Sequence, residues 1–293
     1  MKKFIILIGI LLVAKIPCHA IASYDSIKQK IINAKDTRAV KSLLNSQVKY
    51  ANREDFNKFI NTYDTSYLNS DGLDYEQYSK LVTDIWNTYE GIKYGIKIKN
   101  IELKDKDAQV ELTETSSADI SVQNKMNGTL KSESKSIYKL KKINGKWKVV
   151  SDSVISETTS MLYGEAIGLD IKLTAPNEIK AGTEYTASLE FETPKGVVSI
   201  ASISSDKVEY PQKPTEEVFR KMPEDNILER LFTSNSENKN EYIIASIGLT
   251  KANVCDLSIQ VSLVGFGYQV VRVNVLPQET LNNQSEVIND KEK

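Results

Sequence analysis

The chemistry open to this chain is limited first by what it lacks. His19 is the only histidine, and Cys18 and Cys255 are the only cysteines. His19 and Cys18 both fall in an opening segment that reads as a secretory signal, so a processed chain keeps no histidine and one thiol. That inventory excludes a Ser-His-Asp triad, a Cys-His pair, histidine metal ligation, an intrachain disulfide and a thiolate zinc site. No catalytic residue, metal ligand or cofactor is assigned from the sequence. What remains for proton transfer is carboxyl and phenol. Glu114, Asp119 and Glu157 lie on or near candidate strands, and the chain has 14 tyrosines. A carboxylate in a dry pocket beside a tyrosine donor can move a proton, because burial raises its pKa. Cys255, in "NVCDLSIQV", sits among alternating apolar residues and reads as a small core side chain. "NSDGLDYE" (69–76) suggests a calcium loop. With Gly72 at the glycine position, however, Tyr67 and Tyr78 stand where an EF-hand needs carboxylates. The stretch reads instead as a turn followed by a helix cap.

The elements that must position these groups start after residue 22. Lys2 and Lys3 precede an unbroken apolar run, Phe4 to Ala14, with Pro17 and small residues at Ala20 and Ala22 behind it. This is the order of a signal peptide (1–22), and the run is too short to span a bilayer, which takes about 20 apolar residues. The expected product is exported, periplasmic or secreted, and is not an integral membrane protein after cleavage. Removing Lys2, Lys3 and Lys15 from 38 basic residues against 39 acidic ones leaves a balance of −4. A mildly acidic chain without a basic block is a poor nucleic-acid ligand.

Residues 24–90 read as helices. Val40, Leu43, Leu44, Gln47, Val48 and Ala51 keep helical spacing, with Asp36 as their expected cap and Asn52 as the cap of the next helix. Asp74 with Gln77 forms a capping box for a third helix, whose face is Tyr78, Leu81, Val82, Ile85, Trp86 and Tyr89. Strands follow from 93 to 165. Asn144-Gly145 is a two-residue hairpin turn, so Lys142 faces Trp147, Leu140 faces Val149 and Tyr138 faces Ser151. Lys139, Lys141, Lys148, Val150 and Asp152 then fall on the other, charged face. A sheet with one apolar face suits helices packed against that face.

Three helices followed by an antiparallel sheet that closes on a Gly-x-Trp-x-hydrophobic strand resemble the nuclear transport factor 2-like, or SnoaL-like, superfamily. The resemblance rests on "REDFNKFINTYDTSYLNSDGLDYEQY" (53–78) and "YKLKKINGKWKVVSD" (138–152) and covers about residues 36–160. It implies an α+β cone, three helices packed on a curved antiparallel sheet, over residues 23–165. It also implies a pocket with Trp86, Tyr89, Tyr138 and Trp147 as walls, unless these aromatics simply fill the core. Some members are isomerases, cyclases or dehydratases, and many others bind or assemble. No acid here aligns to a catalytic one. Members often dimerise through the outer sheet face, which here carries Lys139, Lys141 and Lys148, so a monomer or weak dimer is expected.

Beyond "APNEIKAG" (175–182) the chain alternates like an antiparallel sandwich. It looks like the immunoglobulin-like modules of bacterial surface proteins, over residues 170–277, with a partly helical insert at 211–235 starting at Pro214. Phe219, Arg220, Met222 and Arg230 of that insert form a candidate partner surface. Residues 278–293 are polar and read as a disordered tail. The function expected is an exported, non-enzymatic binding or assembly protein whose partner is a protein or a small apolar ligand. The alternative is a SnoaL-like enzyme using Asp or Glu with Tyr.

Overall fold

The computed structural model describes residues 18–122, 126–213, 216–255 and 258–278. The signal-like residues 1–17, the Pro214-Thr215 helix start, the tail from 279 and the Cys255 side chain lie outside the described set. Three helices come first: α1 (Cys18–Ala51), α2 (Phe56–Ile60) and α3 (Tyr75–Thr88). Twelve strands follow: β1 (Lys93–Lys104), β2 (Asp107–Val122), β3 (Met126–Ile143), β4 (Lys146–Gly164), β5 (Lys172–Thr174), β6 (Glu178–Lys180), β7 (Glu184–Glu190), β8 (Val198–Lys207), β9 (Arg220–Lys221), β10 (Ile227–Thr233), β11 (Glu241–Cys255) and β12 (Ser258–Leu276).

The expected division into a cone and a separate immunoglobulin-like sandwich is wrong. One sheet runs through both halves in the order β1-β2-β3-β4-β12-β11-β8-β9, with β6 added beside the end of β12, and a three-stranded sheet β10-β7-β5 stands apart. The join is β4 with β12, paired from Thr158–Gly164 to Gly265–Val271. β4 runs from Lys146 to Gly164, within the expected first unit, and its last residues pair with β12 of the expected second one. "VGFGYQVV" reads as the end of one strand and the start of another, yet it lies inside the single strand β12. Its glycines are there for close approach. A Cβ on Gly267 would stand 2.6 Å from Leu162 Cδ2, and one on Gly265 would stand 2.7 Å from the Ala166 nitrogen. The insert at 211–235 carries β9 and β10 and no helix among its described residues. Its apolar residues follow strand spacing, with Leu228 and Phe232 turned to the core and Leu231 exposed.

Two apolar clusters flank the shared sheet. Val40 and Leu44 of α1, Phe59 and Ile60 of α2, and Val82 of α3 pack with Val110, Leu112, Leu140 and Val149. Tyr185, Leu189 and Phe191 pack with Ile203, Ile243, Ile247 and Leu249. The capping box forms as expected: Asp74 accepts from the Gln77 amide at 2.9 Å, and Gln77 accepts from the Asp74 amide at 3.1 Å. The other two caps do not. Asp55 caps α2, while Asn52 accepts from the Tyr94 amide at 2.7 Å and donates to its carbonyl at 2.9 Å.

Asp36 lies within α1, so it caps nothing. It is buried, accepting from Lys142 Nζ at 2.6 Å and Trp147 Nε1 at 3.3 Å. The Lys142 hydrogen bond, more than its charge, holds the carboxyl below its ordinary range against the cost of burial. Asp36→Ala strands both donors and is expected to cost about 1–3 kcal/mol in urea melts, with Asp36→Asn costing less. Equal stability of Asp36→Ala and the parent would show the contact to be idle.

Candidate functional site

The helix-facing side of the sheet carries three carboxylates, Glu114, Asp152 and Glu157, and alternation from the turn would place Asp152 on the other face. Pairing between β3 and β4 starts as the Asn144-Gly145 turn dictates, with Lys142 opposite Trp147 and Leu140 opposite Val149. Both turn residues take the left-handed backbone, φ 49° and 79°. Then the register slips. Lys139 pairs with Ser151, leaving Val150 as an extra residue, and Tyr138 faces Asp152 rather than Ser151. A second bulge follows at Ile155, so Ser136 faces Val154 and Ser134 faces Glu157. Each bulge reverses the parity of β4. The first turns Asp152, expected on the wet face, inward beside Tyr138, and the second restores the parity set at the turn, which keeps Glu157 on the side of Trp147 and Val149.

These residues line two adjoining cavities under α3. The outer one, of about 540 Å³, takes in Asp152, Glu157, Asp71, Tyr242 and Arg272. The inner one, of about 150 Å³, is walled by Phe59, Val82, Trp86 and Ile96. Glu114 and Tyr138 line both.

Each of the three inward carboxylates accepts one tyrosine hydroxyl. Tyr138 donates to Glu114 at 2.7 Å, Tyr67 to Asp152 at 3.1 Å, and Tyr242 to Glu157 at 3.0 Å. The Tyr63 and Tyr78 hydroxyls share a hydrogen bond of 2.8 Å. Burial pushes the Asp152 carboxyl up to about 7, and the neighbouring Glu114 charge adds to it against the Tyr67 hydrogen bond. Burial also raises Glu114 and Glu157, each opposed by its tyrosine donor. The same burial pushes Tyr67, Tyr78 and Tyr138 upward, so they stay protonated as donors. Asp71 and Arg272 form a buried ion pair at 2.5 Å at the edge of the cleft. Among the described residues, no group of His, Cys, Asp or Glu is arranged to hold a metal ion. No helix among them is long and apolar enough to cross a membrane.

The aromatic residues singled out by sequence divide. Trp86 and Tyr138 meet at the inner cavity, where Trp86 Nε1 donates to the Tyr94 hydroxyl at 3.1 Å. Tyr89 instead turns toward Met161, its hydroxyl 3.6 Å from Sδ. Trp147 is core, 5% exposed and bonded to Asp36. Glu114 and Glu157 reach the cleft, while Asp119 is exposed. Phe219 and Arg220 are exposed, but Met222 is buried in the second cluster. The Arg230 guanidinium lies over the Phe232 ring and donates to the Ile203 carbonyl. Of the four candidate partner-surface residues, Met222 is therefore core, and Phe219, Arg220 and Arg230 are exposed. Sequence reasoning missed Tyr67, Asp71, Asp152, Tyr242 and Arg272. One signal for Asp152 was present: the adjacent apolar pair Val149-Val150 interrupts the alternation two residues before it.

Residues 42–161 match the family described as "Anti-sigma-I factor RsgI9, C-terminal domain". That span includes Glu114, Tyr138, Asp152 and Glu157 but not Tyr242 or Arg272. No curated protein matches the chain. Among solved structures, it is similar to the Kfla4162 protein from Kribbella flavida, at 8% identity and a TM-score of 0.37, over 42% of this chain and 90% of that one. It is similar to a protein of the NTF2-like family from Streptomyces avermitilis, at 13% identity and a TM-score of 0.36, over 41% and 96%. It is also similar to Bd1075 from Bdellovibrio bacteriovorus, at 13% identity and a TM-score of 0.34, and there it spans only 40% of the other chain.

Proposed function

We propose that this chain is an exported, non-enzymatic binding protein that holds a small molecule in the cleft between α3 and the sheet. The observation that carries this reading is the pair of joined cavities, one apolar and one polar, walled by side chains from α3, β2, β3, β4, β11 and β12. Ligand sites combine such an apolar lining with a few convergent polar groups. The match over residues 42–161 to a domain of an anti-sigma factor agrees with a regulatory or binding role. Native mass spectrometry of the purified chain is expected to show one retained small molecule per chain. Ile85→Trp, which fills the inner cavity, is expected to lose it with the fold intact by circular dichroism. Retention of the same molecule by Ile85→Trp would place it elsewhere and overturn the reading.

One observation favours a second reading. A carboxyl near 7 beside a phenol is poised for proton transfer, as an isomerase or dehydratase requires. Turnover of a hydroxy-ketone panel that is abolished in Asp152→Asn would establish that reading in place of binding.

A further inference from the structure

We infer that the occupant of this cleft is an amphipathic organic cation, with its amine or ammonium group among Glu114, Asp152 and Glu157 and its apolar part beside Trp86. The inference rests on the binding reading above and adds the chemical class of the ligand.

Charge carries the first step. Among the described residues lining the outer cavity, Arg272 is the only base, against Asp71, Glu114, Asp152, Glu157 and Glu209. Arg272 is already committed to Asp71 at 2.5 Å. The inward carboxylates keep no ion-pair partner of their own, and the donors around them are neutral hydroxyls. A carboxylate with unfilled lone pairs in a partly desolvated cleft favours a cation that completes its hydrogen bonds. Tyrosine rings beside the same space supply cation–π faces.

The size of the inner cavity carries the second step. About 150 Å³ walled by Phe59, Val82, Trp86 and Ile96 is on the scale that accepts a benzene ring. Glu114 borders both cavities, so a charged head and a ring need only a short linker between them.

The affinity should depend on pH. The groups facing Asp152 are Tyr63, Tyr67 and Asp71 from the segment before α3, Tyr78 of α3, Glu114 of β2, Tyr138 of β3 and Arg272 of β12. The tyrosines stay neutral and Arg272 stays charged through the neutral range, so Asp152 and Glu114 set the dependence. A cation binds their ionised forms, so binding tightens as pH rises toward and past 7.

The test uses the full chain, Trp86 fluorescence and calorimetry, with 2-phenylethylammonium, neutral 2-phenylethanol and anionic 3-phenylpropanoate as probes. At pH 8 the ammonium is expected to bind at least roughly tenfold more tightly than the alcohol, with the anion weakest. At pH 5.5 that preference should shrink by roughly tenfold, as the carboxyls take up protons. Glu114→Gln with Asp152→Asn should remove the preference for the ammonium over the alcohol. Ile85→Trp should weaken both. Equal binding of ammonium and alcohol, or tighter binding of the anion, overturns the cation assignment while leaving a binding protein. Failure of all three probes to saturate also overturns it, and retained ligand in native mass spectra then judges the binding reading separately.

Discussion

Arg272→Met is expected to destabilise the chain by about 3–5 kcal/mol, the largest single loss foreseen outside the apolar clusters. The two side chains of its ion pair are among the most enclosed charges in the molecule, 1% exposed for Arg272 and 6% for Asp71. Two desolvated charges are tolerable because each satisfies the other, and the surroundings complete the pairing. Asn240 donates to the same Asp71 oxygen at 2.7 Å, and Arg272 Nε donates to Asn274 Oδ1 at 2.8 Å. Removing the guanidinium leaves a buried carboxylate with one amide donor. It also removes a positive charge that opposes the upward shifts of Asp152 and Glu157, so those groups become harder to ionise. The pair joins the segment before α3 to β12, two parts of the chain about 200 residues apart. The loss should therefore appear as a lower urea midpoint with an unchanged slope, meaning that the whole fold is weakened. Asp71→Asn should cost a similar amount, by stranding the cation. Arg272→Met combined with Asp71→Leu should recover most of the loss, because an apolar pair carries no desolvation penalty. A single substitution costing under about 1 kcal/mol would mean that water reaches the pair.

How far this molecule could be read from its sequence depended on whether the signal was local. The Asp74–Gln77 box, the α3 face from Tyr78 to Trp86 and the Asn144-Gly145 turn are set by residues within a few positions of one another. All three appear as expected. Asp36 shows where local reasoning stops. A cap and a mid-helix acid look alike in sequence, and the partners that decide between them, Lys142 and Trp147, lie more than 100 residues away. Strand parity failed for a related reason. A two-residue turn fixes register only as far as the first bulge, which moved Asp152 to the helix side, while the second bulge returned Glu157 to the parity that the turn had set. The join between the halves was the least legible feature. The pairing of β4 with β12 depends on glycines at 265 and 267 that allow close approach. In sequence, such glycines cannot be told from strand ends.

Asp152→Asn is expected to stabilise the chain at pH 8 by about 2–4 kcal/mol and to leave it nearly unchanged at pH 4. The direction follows from the proton balance. The carboxyl sits at about 7 in the folded chain, raised from an ordinary 3.8. Between these values the folded chain holds the proton and the unfolded chain does not. Folding is therefore favoured least where the group must ionise: stability falls as pH rises from about 4 to 7 and is flat above that. An amide is nearly isosteric and carries no charge. Its oxygen can accept the Tyr67 hydroxyl as the carboxylate does, so the substitution removes the desolvation cost and the repulsion from Glu114 while keeping the hydrogen bond. Glu114 and Glu157 are shifted the same way and contribute to the slope of the parent chain. Only the difference between parent and variant isolates position 152, and urea midpoints for both at half-unit steps from pH 4 to 8 measure it. An advantage for the variant that does not depend on pH would mean the gain comes from packing. A variant less stable than the parent at pH 8 would mean that Asp152 is ionised and well partnered in the fold. The cleft would then hold its negative charge without strain, and a bound cation would gain less by entering it.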